Sequence, residues 1–503
     1  MGHIGAIKKK YAYFCAVVTD PESMSIDEFV RQVQQQLGFE PTADQHRALH
    51  EFGHFLADRE TRVAMILRGS AGTGKTSLTA ALVRTLARLG QRMVLLAPTG
   101  RAAKVLSLYS GMAAYTIHRK IYRERAVVSG GGVFNLNDNL HTDMLFVVDE
   151  ASMIANGTGG DSTFGTGCLL DDLITYVYGG RNCRLMVIGD SAQLPPVGEE
   201  ESPALSAGVL EGYALRVYRA DLAEVVRQAA LSGILYNATV IRAMITHDAA
   251  TQLPRIRLAG FADICVVPGN ALVDALAASY HAVGIDDAMV ITRSNKRAKV
   301  YNLGIRSMIL DREDDLATGD MLMVVKNHYL PPTPKGPADA PPFAFIANGD
   351  RCRVVKVRRQ REFYGLRFAD VWLSFPDYDD YEFQATLVLD SLLTETPALT
   401  REQADQLYEG VMADYADLPR KADRMKALRA DTYYNALQVK FAYAVTCHKA
   451  QGGQWSHVYV DQGYMTDDML TPDYIHWLYT AFTRATERLY LVNWPKSQVE
   501  PGR

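Results

Sequence analysis

The 503-residue sequence predicts an α/β protein built from two tandem parallel-sheet domains, with a β insert in each. Two observations predict this fold. Apolar runs of strand length alternate with helical patterns in two separate stretches, which is typical of strand–helix–strand units. A glycine-rich phosphate-binding sequence follows the first of these runs. Two further β-rich segments interrupt the alternation, and we expect each to be an insert within one of the domains.

Composition limits the class of protein. Hydrophobic residues make up 48% and charged residues 22% of the chain, as in ordinary soluble proteins. No apolar run reaches the roughly 18 residues that a membrane span needs, so no membrane association is expected. The net charge of −4 excludes a strongly basic nucleic-acid coat protein, but it allows an enzyme with a local basic channel. Six scattered cysteines match neither a disulfide framework nor a zinc site, which favours the cytoplasm.

The predicted strands are short, aliphatic or β-branched, and each ends near Gly, Pro or Asp. In the first domain they are Val63–Leu67, Met93–Ala97, Leu145–Val148 and Leu185–Ile188. In the second domain they are Ile264–Val267, Ala288–Thr292, Val439–Val445, His457–Val460 and Leu489–Val492. We place the first domain at residues 24–226, a linker at 227–262 and the second domain at 263–503.

Three segments fall outside the alternation. Two β-prone arms flank a glycine tip in residues 121–142, which predicts a hairpin insert in the first domain. Residues 330–347 are rich in Pro and Ala and predict a loop. Residues 348–437 predict a small β module, followed by a charged helical stretch near 400–430. Residues 1–23 are treated as an N-terminal extension, with Met24, just before a capping box, as an alternative start.

The strongest local signal is Gly69-Ser-Ala-Gly-Thr-Gly-Lys-Thr76, which matches G-x-x-x-x-G-K-[ST] between a strand and a helix. Glycines let backbone N–H groups point at phosphates at a helix N-terminus, where the helix dipole favours anions. Lys75 is expected to reach the β- and γ-phosphates, and the Thr76 hydroxyl to bind Mg²⁺. The nucleotide-binding residues predicted here are Gly69, Ser70, Ala71, Gly72, Thr73, Gly74, Lys75, Thr76 and Ser77.

An acidic pair supplies the second half of the predicted site. Asp149 and Glu150 end the predicted strand Leu145–Val148. A carboxylate in the first position can hold Mg²⁺, and the next one can polarise an attacking water. We therefore predict Asp149 as a metal residue and Glu150 as the general base of nucleotide hydrolysis.

The acidic pair and the residues after the predicted strand Leu185–Ile188 resemble motifs II and III of superfamily 1 helicases. The sequences are Asp149-Glu-Ala-Ser-Met153 and Gly189-Asp-Ser-Ala-Gln-Leu-Pro-Pro196, the latter offering Gln193 to a γ-phosphate. Other segments then resemble the remaining motifs in order: Thr42-Ala-Asp-Gln45, Ala97-Pro-Thr-Gly-Arg-Ala-Ala103, Leu222-Ala-Glu-Val-Val-Arg-Gln228, Val445-Thr-Cys-His-Lys-Ala-Gln-Gly452 and Tyr479-Thr-Ala-Phe-Thr-Arg-Ala485. The resemblance runs from about residue 40 to residue 493.

The resemblance implies roles for further residues around the nucleotide. Gln45 would read the adenine, Arg227 would contact the γ-phosphate, and Arg484 would act as the arginine finger. Gly453 and Gln454 would lie near the sugar. Many members of the superfamily carry Glu at the position of Gln454, so the preference for ribose stays open.

The residues of several motifs resemble those of the RecD-like and Dda-like branch, superfamily 1B, in which translocation runs 5′→3′. The segments are Thr116-Ile-His118, Asp190-Ser-Ala-Gln-Leu-Pro-Pro-Val197 and Cys447-His-Lys-Ala-Gln-Gly-Gly-Gln454. That branch has a hairpin in the first RecA-like domain and an SH3-like β insert in the second, at the places where this sequence has its two inserts. The polarity is implied by the resemblance alone.

The function implied is an ATP-dependent DNA helicase that uses ATP and Mg²⁺ and binds single-stranded DNA and duplex forks, with replication or recombination proteins as possible partners. Strand contacts are expected from the backbone-binding and stacking residues Pro98, Thr99, Arg101, His118, Phe134, Arg293, Asn295, Thr446 and His448. The hairpin is the candidate wedge, with Phe134 stacking on the terminal base pair. A translocase that displaces proteins without unwinding shares every motor residue, and RNA is not excluded as the strand.

Overall fold

The computed structural model describes residues 24–124, 134–157, 164–225, 232–246, 253–329, 345–465 and 469–501. The chain divides into two compact units whose main boundary falls after Thr246, inside the segment predicted as a linker. The predicted N-terminal extension, the tip of the hairpin, Arg227 and most of the loop at 330–347 lie outside the described residues.

The first unit is organised around a six-stranded parallel sheet of order β3-β2-β6-β7-β1-β8. Its helices are α1 (Ile26–Leu37), α2 (Ala43–Ala57), α3 (Lys75–Arg88), α4 (Gly100–Ser110), α5 (Ile117–Ile121), α6 (Leu169–Gly179), α7 (Ala207–Gly212) and α8 (Gly233–Thr246). Its strands are β1 (Val63–Gly69), β2 (Arg92–Ala97), β3 (Ala114–Thr116), β4 (Tyr122–Glu124), β5 (Phe134–Leu136), β6 (Met144–Val148), β7 (Arg184–Gly189) and β8 (Arg216–Leu222).

The four strands predicted for this unit are present as β1, β2, β6 and β7, and all are buried. Helices α1, α2 and α3 cover β1 with an aromatic and aliphatic core that includes Phe29, Phe52 and Phe55. Half of the capping box predicted before α1 is present: the Ser25 hydroxyl accepts from the backbone N–H of Glu28 at 3.1 Å, while the Glu28 carboxylate pairs with Arg31 and Gln32. Two strands were not predicted: β3 has only three residues, and β8 is an edge strand with alternating exposure.

The predicted hairpin begins as expected. Strands β4 and β5 pair as a separate two-stranded sheet. The ring of Phe134, at the start of β5, packs on Phe164 with centroids 5.0 Å apart. The glycine-rich segment between the two strands lies outside the described residues.

The second unit combines a five-stranded parallel sheet of order β18-β10-β19-β20-β9 with a closed barrel of β11, β14, β15, β16 and β17. Its helices are α9 (Leu272–Val283), α10 (Asn295–Met308), α11 (Asp390–Leu393), α12 (Arg401–Asp414), α13 (Lys421–Ala430), α14 (Cys447–Ala450) and α15 (Pro472–Phe482). Its strands are β9 (Ile264–Val267), β10 (Ala288–Thr292), β11 (Met321–Val324), β12 (His328–Tyr329), β13 (Phe345–Ile346), β14 (Arg351–Phe363), β15 (Leu366–Phe375), β16 (Tyr381–Val388), β17 (Leu437–Phe441), β18 (Ala444–Thr446), β19 (Trp455–Asp461) and β20 (Ala485–Val492).

The predicted fold class is confirmed: two RecA-like parallel sheets and a small β barrel inserted in the second unit. One predicted strand was wrong in detail. Residues Val439–Val445 form two strands rather than one, because the chain leaves the barrel after Phe441 and enters the parallel sheet at Ala444. At the break, the backbone N–H of Ala442 still bonds Met321 at 2.8 Å, while the N–H of Tyr443 turns to the Asn302 side chain at 3.0 Å. No helix in the described part of the chain is long and apolar enough to cross a membrane.

The barrel is joined to the rest of its unit by a buried charge cluster around Asp320, just before β11. The Asp320 side chain is 0% exposed and accepts from Arg306 of α10 at 3.1 and 3.0 Å and from Arg312 at 2.8 Å. The Tyr443 hydroxyl, between β17 and β18, donates to the same carboxylate at 2.8 Å. One carboxylate therefore connects the parallel-sheet helix, the barrel and the strand junction.

We expect Asp320→Ala to lower the free energy of unfolding of the second unit by about 3–5 kcal/mol, because it leaves the buried Arg306 without its partner. All four tryptophans, Trp372, Trp455, Trp477 and Trp494, belong to this unit, so urea unfolding followed by tryptophan fluorescence reports on it selectively. Asp405→Ala is the control, since Asp405 forms an exposed pair on α12. An unchanged midpoint for Asp320→Ala would contradict the structural role.

Candidate functional site

The loop between β1 and α3 has the shape of an anion-binding cradle. Gly72 and Gly74 have φ of +78° and +75°, a region that non-glycine residues enter only with strain. The backbone N–H and the hydroxyl of Thr73 both donate to the Ser70 carbonyl, at 3.3 and 2.8 Å, which closes the turn. The loop thus ends at the N-terminus of α3, where backbone N–H groups and the helix dipole attract anions.

Lys75, Thr76 and Ser77 form the first turn of α3, directly after the loop. Lys75 is half-buried, and its ammonium donates to the Gly69 carbonyl at 3.1 Å, so the charge lies over the base of the loop. Thr76 and Ser77 follow in the first turn of α3 and are exposed. An exposed hydroxyl at this position is free to meet a ligand bound on the loop.

Gln45 connects α2 to the phosphate loop. Its side chain is 0% exposed; its amide N–H donates to the Thr73 carbonyl at 2.9 Å, and its amide oxygen accepts from the backbone N–H of Thr42 at 3.1 Å. Gln45 thus caps α2 and supports the shape of the phosphate loop. Its predicted contact with the adenine base stays a prediction.

Asp149 and Glu150 follow β6 at the carboxyl edge of the same sheet. The backbone N–H of Asp149 bonds the Leu96 carbonyl at 2.9 Å, which fixes the pair beside β2. Burial and the neighbouring Glu150 raise the pKa of the Asp149 carboxyl, and Lys75 opposes that rise. The positive charge of Lys75 therefore favours the charged form of the Asp149 carboxyl.

Glu150 and Gln193 each have a buried side-chain oxygen that accepts no hydrogen bond from the described residues. Glu150 adopts φ of +52°, a strained value for a non-glycine residue, and its Oε2 is buried without a hydrogen-bond partner among the described residues. Gln193, after β7, is 4% exposed, and its Oε1 likewise has no partner there. Buried polar atoms are normally bonded, so two such acceptors at one sheet edge indicate places where water or a ligand binds.

In the second unit, Arg484 organises the loop before β19. Its guanidinium, 2% exposed, donates to the carbonyls of Thr480 and Gly453 and to the Thr483 hydroxyl, each at 3.1 Å. The structure thus brings together Arg484 and Gly453, two residues predicted to act on the nucleotide. Gln454 follows and is exposed.

The strand contacts predicted in the first unit fall into two groups. Pro98, Thr99 and Arg101 lie at the carboxyl end of β2 and the start of α4, and each is half-buried. His118 lies in α5 within an aromatic cluster, its ring centroid 5.0 Å from that of Phe164. Burial lowers the pKa of His118 to about 4, so this imidazole is neutral at pH 7.

Phe134 belongs to the same aromatic cluster as His118. The side chain is 4% exposed and packs on Phe164. An almost fully enclosed ring presents no face to a base pair, so the predicted stacking role of Phe134 was wrong for this conformation.

The strand contacts predicted in the second unit lie at the carboxyl edge of its parallel sheet. Arg293 follows β10, is exposed, and has its guanidinium 5.4 Å from the centre of the Tyr474 ring. Asn295 begins α10, whose N-cap is Ser294. Thr446 ends β18 and precedes α14, which carries the exposed His448. Parallel strands bring these residues to one edge although more than 150 positions separate them in sequence.

Two residues at the site were not predicted. The Tyr109 hydroxyl donates to the Asp149 carboxylate, and burial together with that carboxylate raises the pKa of Tyr109. The spacing of Ala102, Leu106 and Tyr109 gives one buried helix face, a signal that could have placed Tyr109 toward the sheet. Arg242 of α8 donates to the Ser70 hydroxyl on the phosphate loop, and no pattern in the sequence indicates that contact.

Family models match both units. Residues 42–253 match the model of an AAA domain, and residues 441–492 match a UvrD-like helicase C-terminal domain. The first match contains the phosphate loop, the acidic pair and Gln193. The second contains Thr446, Gly453 and Arg484.

Two proteins similar to this chain are known as DNA helicases. The ATP-dependent RecD2 DNA helicase of Deinococcus radiodurans is 33% identical over 179 residues, which is 35% of this chain and 21% of that protein. The ATP-dependent DNA helicase dda of Enterobacteria phage T4 is 24% identical over 408 residues, 76% of this chain and 86% of that protein. The chain therefore aligns with about a fifth of the first relative and most of the second. These findings confirm the predicted resemblance.

Among solved structures, the Pif1 helicase from Bacteroides in complex with ADP-AlF3 and ssDNA is similar to this chain, and the alignment spans 92% of this chain and 95% of that one. Its sequence identity is 13% and its TM-score 0.46.

The φ values of the phosphate loop lead to a prediction for Gly74. Gly74→Ala is expected to weaken ATP binding about 5- to 30-fold, because an L-residue in the left-handed region costs roughly 1–2 kcal/mol. Titration with a fluorescent ATP analogue measures the change. Gly208→Ala is the matched control, since a Cβ there meets nothing within 4 Å. Equal affinities for the two variants would show that the bound loop does not need this conformation.

Proposed function

We propose that this chain is an ATP-dependent DNA helicase of superfamily 1B, which moves 5′→3′ on single-stranded DNA and unwinds duplex DNA. Its substrates are single strands and duplex forks, and its site of action is the cytoplasm, with replication or recombination proteins as partners. The DNA-helicase names of the two curated relatives support the substrate class. The polarity rests on the resemblance to the RecD-like and Dda-like branch.

The observation that carries hydrolysis, beyond nucleotide binding, is the pair of unsatisfied acceptors beside the phosphate loop. Glu150 has a free buried carboxylate oxygen, and Gln193 a free buried amide oxygen. A water held between such acceptors is oriented, and the carboxylate can take its proton as it attacks a phosphate. A site that only bound nucleotide would not need an unpaired carboxylate held in a strained backbone conformation.

Magnesium fits the donor set of this site. The Thr76 hydroxyl and the Asp149 carboxylate are hard oxygen ligands, the kind that Mg²⁺ takes together with substrate phosphates. Within the described ranges, no group of three or more His, Cys, Asp or Glu side chains could hold a metal without such help. When bound, the ion neutralises charge between the phosphates. Tyr109, which donates to Asp149, orients that carboxylate.

The other residues of the site are proposed to contact the phosphates and the sugar of the nucleotide. Lys75 places a positive charge over the phosphate loop, and Gly69–Thr76 provide backbone N–H donors. Arg484 is proposed as the arginine that stabilises the charge developing on the γ-phosphate, and Arg227 as a second γ-phosphate contact. Arginines in this role contribute about 10³–10⁵ in rate. Gly453 and Gln454 are proposed to contact the sugar.

Glu150→Gln is expected to lower the rate of DNA-stimulated ATP hydrolysis by about 10²–10⁴, because the amide cannot take a proton from the attacking water. ATP affinity should stay near that of the wild type, since no phosphate contact is lost. A steady-state ATPase assay and a nucleotide titration measure the two quantities. Glu200→Gln, at an exposed position, is the control. Full activity of Glu150→Gln would exclude this residue as the base.

Unwinding of a short duplex with either a 5′ or a 3′ single-stranded tail tests the function itself, with Lys75→Ala as the inactive reference. We expect ATP-dependent separation from the 5′ tail alone. Separation from the 3′ tail would keep the helicase activity and overturn the polarity. DNA-stimulated ATP hydrolysis without unwinding of either substrate would instead identify a translocase.

A further inference from the structure

Helix α8 lies along one side of the phosphate loop. Its residues Leu235, Thr239 and Arg242 follow helical spacing, so they share one face of the helix, and all three are half-buried. At one end of this face, the Leu235 side chain lies 3.3 Å from the place where a Cβ on Gly72 would stand. At the other end, the Arg242 guanidinium donates to the Ser70 hydroxyl. The helix therefore brings Arg242 against the predicted phosphate-binding loop.

The described hydrogen bonds of Arg242 leave its charge without an anion. Its guanidinium donates to two uncharged oxygens, the Ser70 hydroxyl and, at 3.4 Å, the Ala223 carbonyl. An arginine keeps its charge across the physiological pH range, and its preferred partners are carboxylate and phosphate oxygens. A half-buried guanidinium that bonds only neutral acceptors can therefore still take a negatively charged ligand.

The acidic side chains around residues 221–224 do not supply that anion. Asp221 pairs with Arg68 at 3.0 Å. Asp44 accepts the backbone N–H groups of residues 223 and 224 and pairs with Arg47. Glu224 is exposed to solvent, and its carboxylate forms no ion pair with α8 in the part of the chain that the structure describes. The guanidinium on α8 is thus left for a ligand of the phosphate loop.

The contact lies at the end of the loop that meets the outer phosphates. The lysine of this motif reaches the β- and γ-phosphates of a bound nucleotide. Here the Lys75 ammonium donates to the carbonyl of Gly69 at 3.1 Å, and Gly69 directly precedes Ser70. Lys75 and Arg242 therefore contact consecutive residues of the loop, and we expect both cations to face the same end of the nucleotide.

We propose that Arg242 recognises the γ-phosphate and makes the site prefer ATP to ADP. The proposal rests on the proposed function and extends nucleotide recognition to α8, outside the motif positions assigned above. Anionic phosphate oxygens are stronger acceptors than a hydroxyl, so the γ-phosphate would replace Ser70 as a partner of the guanidinium. The planar guanidinium can give a phosphate two parallel N–H bonds, which an ammonium cannot.

The test compares a diphosphate with a triphosphate. Binding of mant-labelled ADP and of mant-labelled AMPPNP, a non-hydrolysable ATP analogue, to the full chain is measured with Mg²⁺ by fluorescence titration. Arg242→Met should weaken binding of the triphosphate about 10- to 100-fold, the usual worth of a hydrogen bond to a charged group. Binding of the diphosphate should stay near that of the wild type, because its last phosphate ends short of the guanidinium. Retained diphosphate binding also shows that the variant folds with an intact loop.

Arg88→Met is the matched control. Arg88 is exposed at the last turn of α3, whose first residue is Lys75, so about 20 Å of helix separates it from the loop. This variant removes the same charge from the same unit and should keep both affinities. Arg242→Lys retains the charge without the planar fork and should recover part of the lost triphosphate affinity. A lysine variant as weak as the methionine variant would contradict recognition by charge.

A purely structural role gives a different pattern. If Arg242 acts only by holding Ser70 in place, Arg242→Met and Ser70→Ala should each weaken binding of the diphosphate and the triphosphate by the same factor. Such a parallel loss would overturn the proposal, since the preference between the two nucleotides would be unchanged. Wild-type affinity of Arg242→Met for both nucleotides would overturn it as well.

Failure of this inference is distinguishable from failure of the proposed function. If the wild type hydrolyses ATP faster with DNA and unwinds the 5′-tailed duplex, while Arg242→Met keeps the wild-type ratio of the two affinities, only the role of Arg242 is refuted. If the wild type binds neither nucleotide, the proposed function is refuted, and the role of Arg242 with it.

Discussion

The carboxyl edge of a parallel sheet is the constraint on which the rest of this protein depends. All strands of such a sheet end on the same side, so the residues that follow them meet there whatever their separation in sequence. In the first unit this edge collects the phosphate loop after β1, Asp149 and Glu150 after β6, and Gln193 after β7. In the second unit the same rule collects Asn295 and Thr446.

A second constraint is that buried polar groups need partners, and the exceptions show where chemistry can occur. Gln45 uses both ends of its amide to hold the phosphate loop, and Asp320 satisfies two arginines and a tyrosine beneath the barrel. These groups are structural because they are satisfied. Glu150 and Gln193 each keep a buried acceptor without a partner among the described residues. Such groups are left to bind water or a ligand.

The accuracy of the predicted elements follows from how strongly each one is marked in the sequence. Strands β1, β6, β7 and β10 are continuous apolar runs and were found within a residue or two. Strand β8 alternates at a sheet edge and was missed. Apart from Lys440, the run 439–445 is apolar throughout, so periodicity could not show that Ala442 and Tyr443 carry the chain from barrel to sheet. Only hydrogen-bond partners distant in sequence decide that break.

The sequence by itself determined the two-sheet fold, the barrel insert and the phosphate loop, because strand runs and the glycine–lysine pattern are local. It also named Asp149, Glu150 and Gln193, which follow strand ends, and Lys75, which begins the helix after the phosphate loop. Only the tertiary structure decided the roles that depend on packing, namely the enclosure of Phe134 and Gln45 and the contacts of Tyr109 and Arg242. Burial and proximity are properties of the folded chain, and no local pattern encodes them.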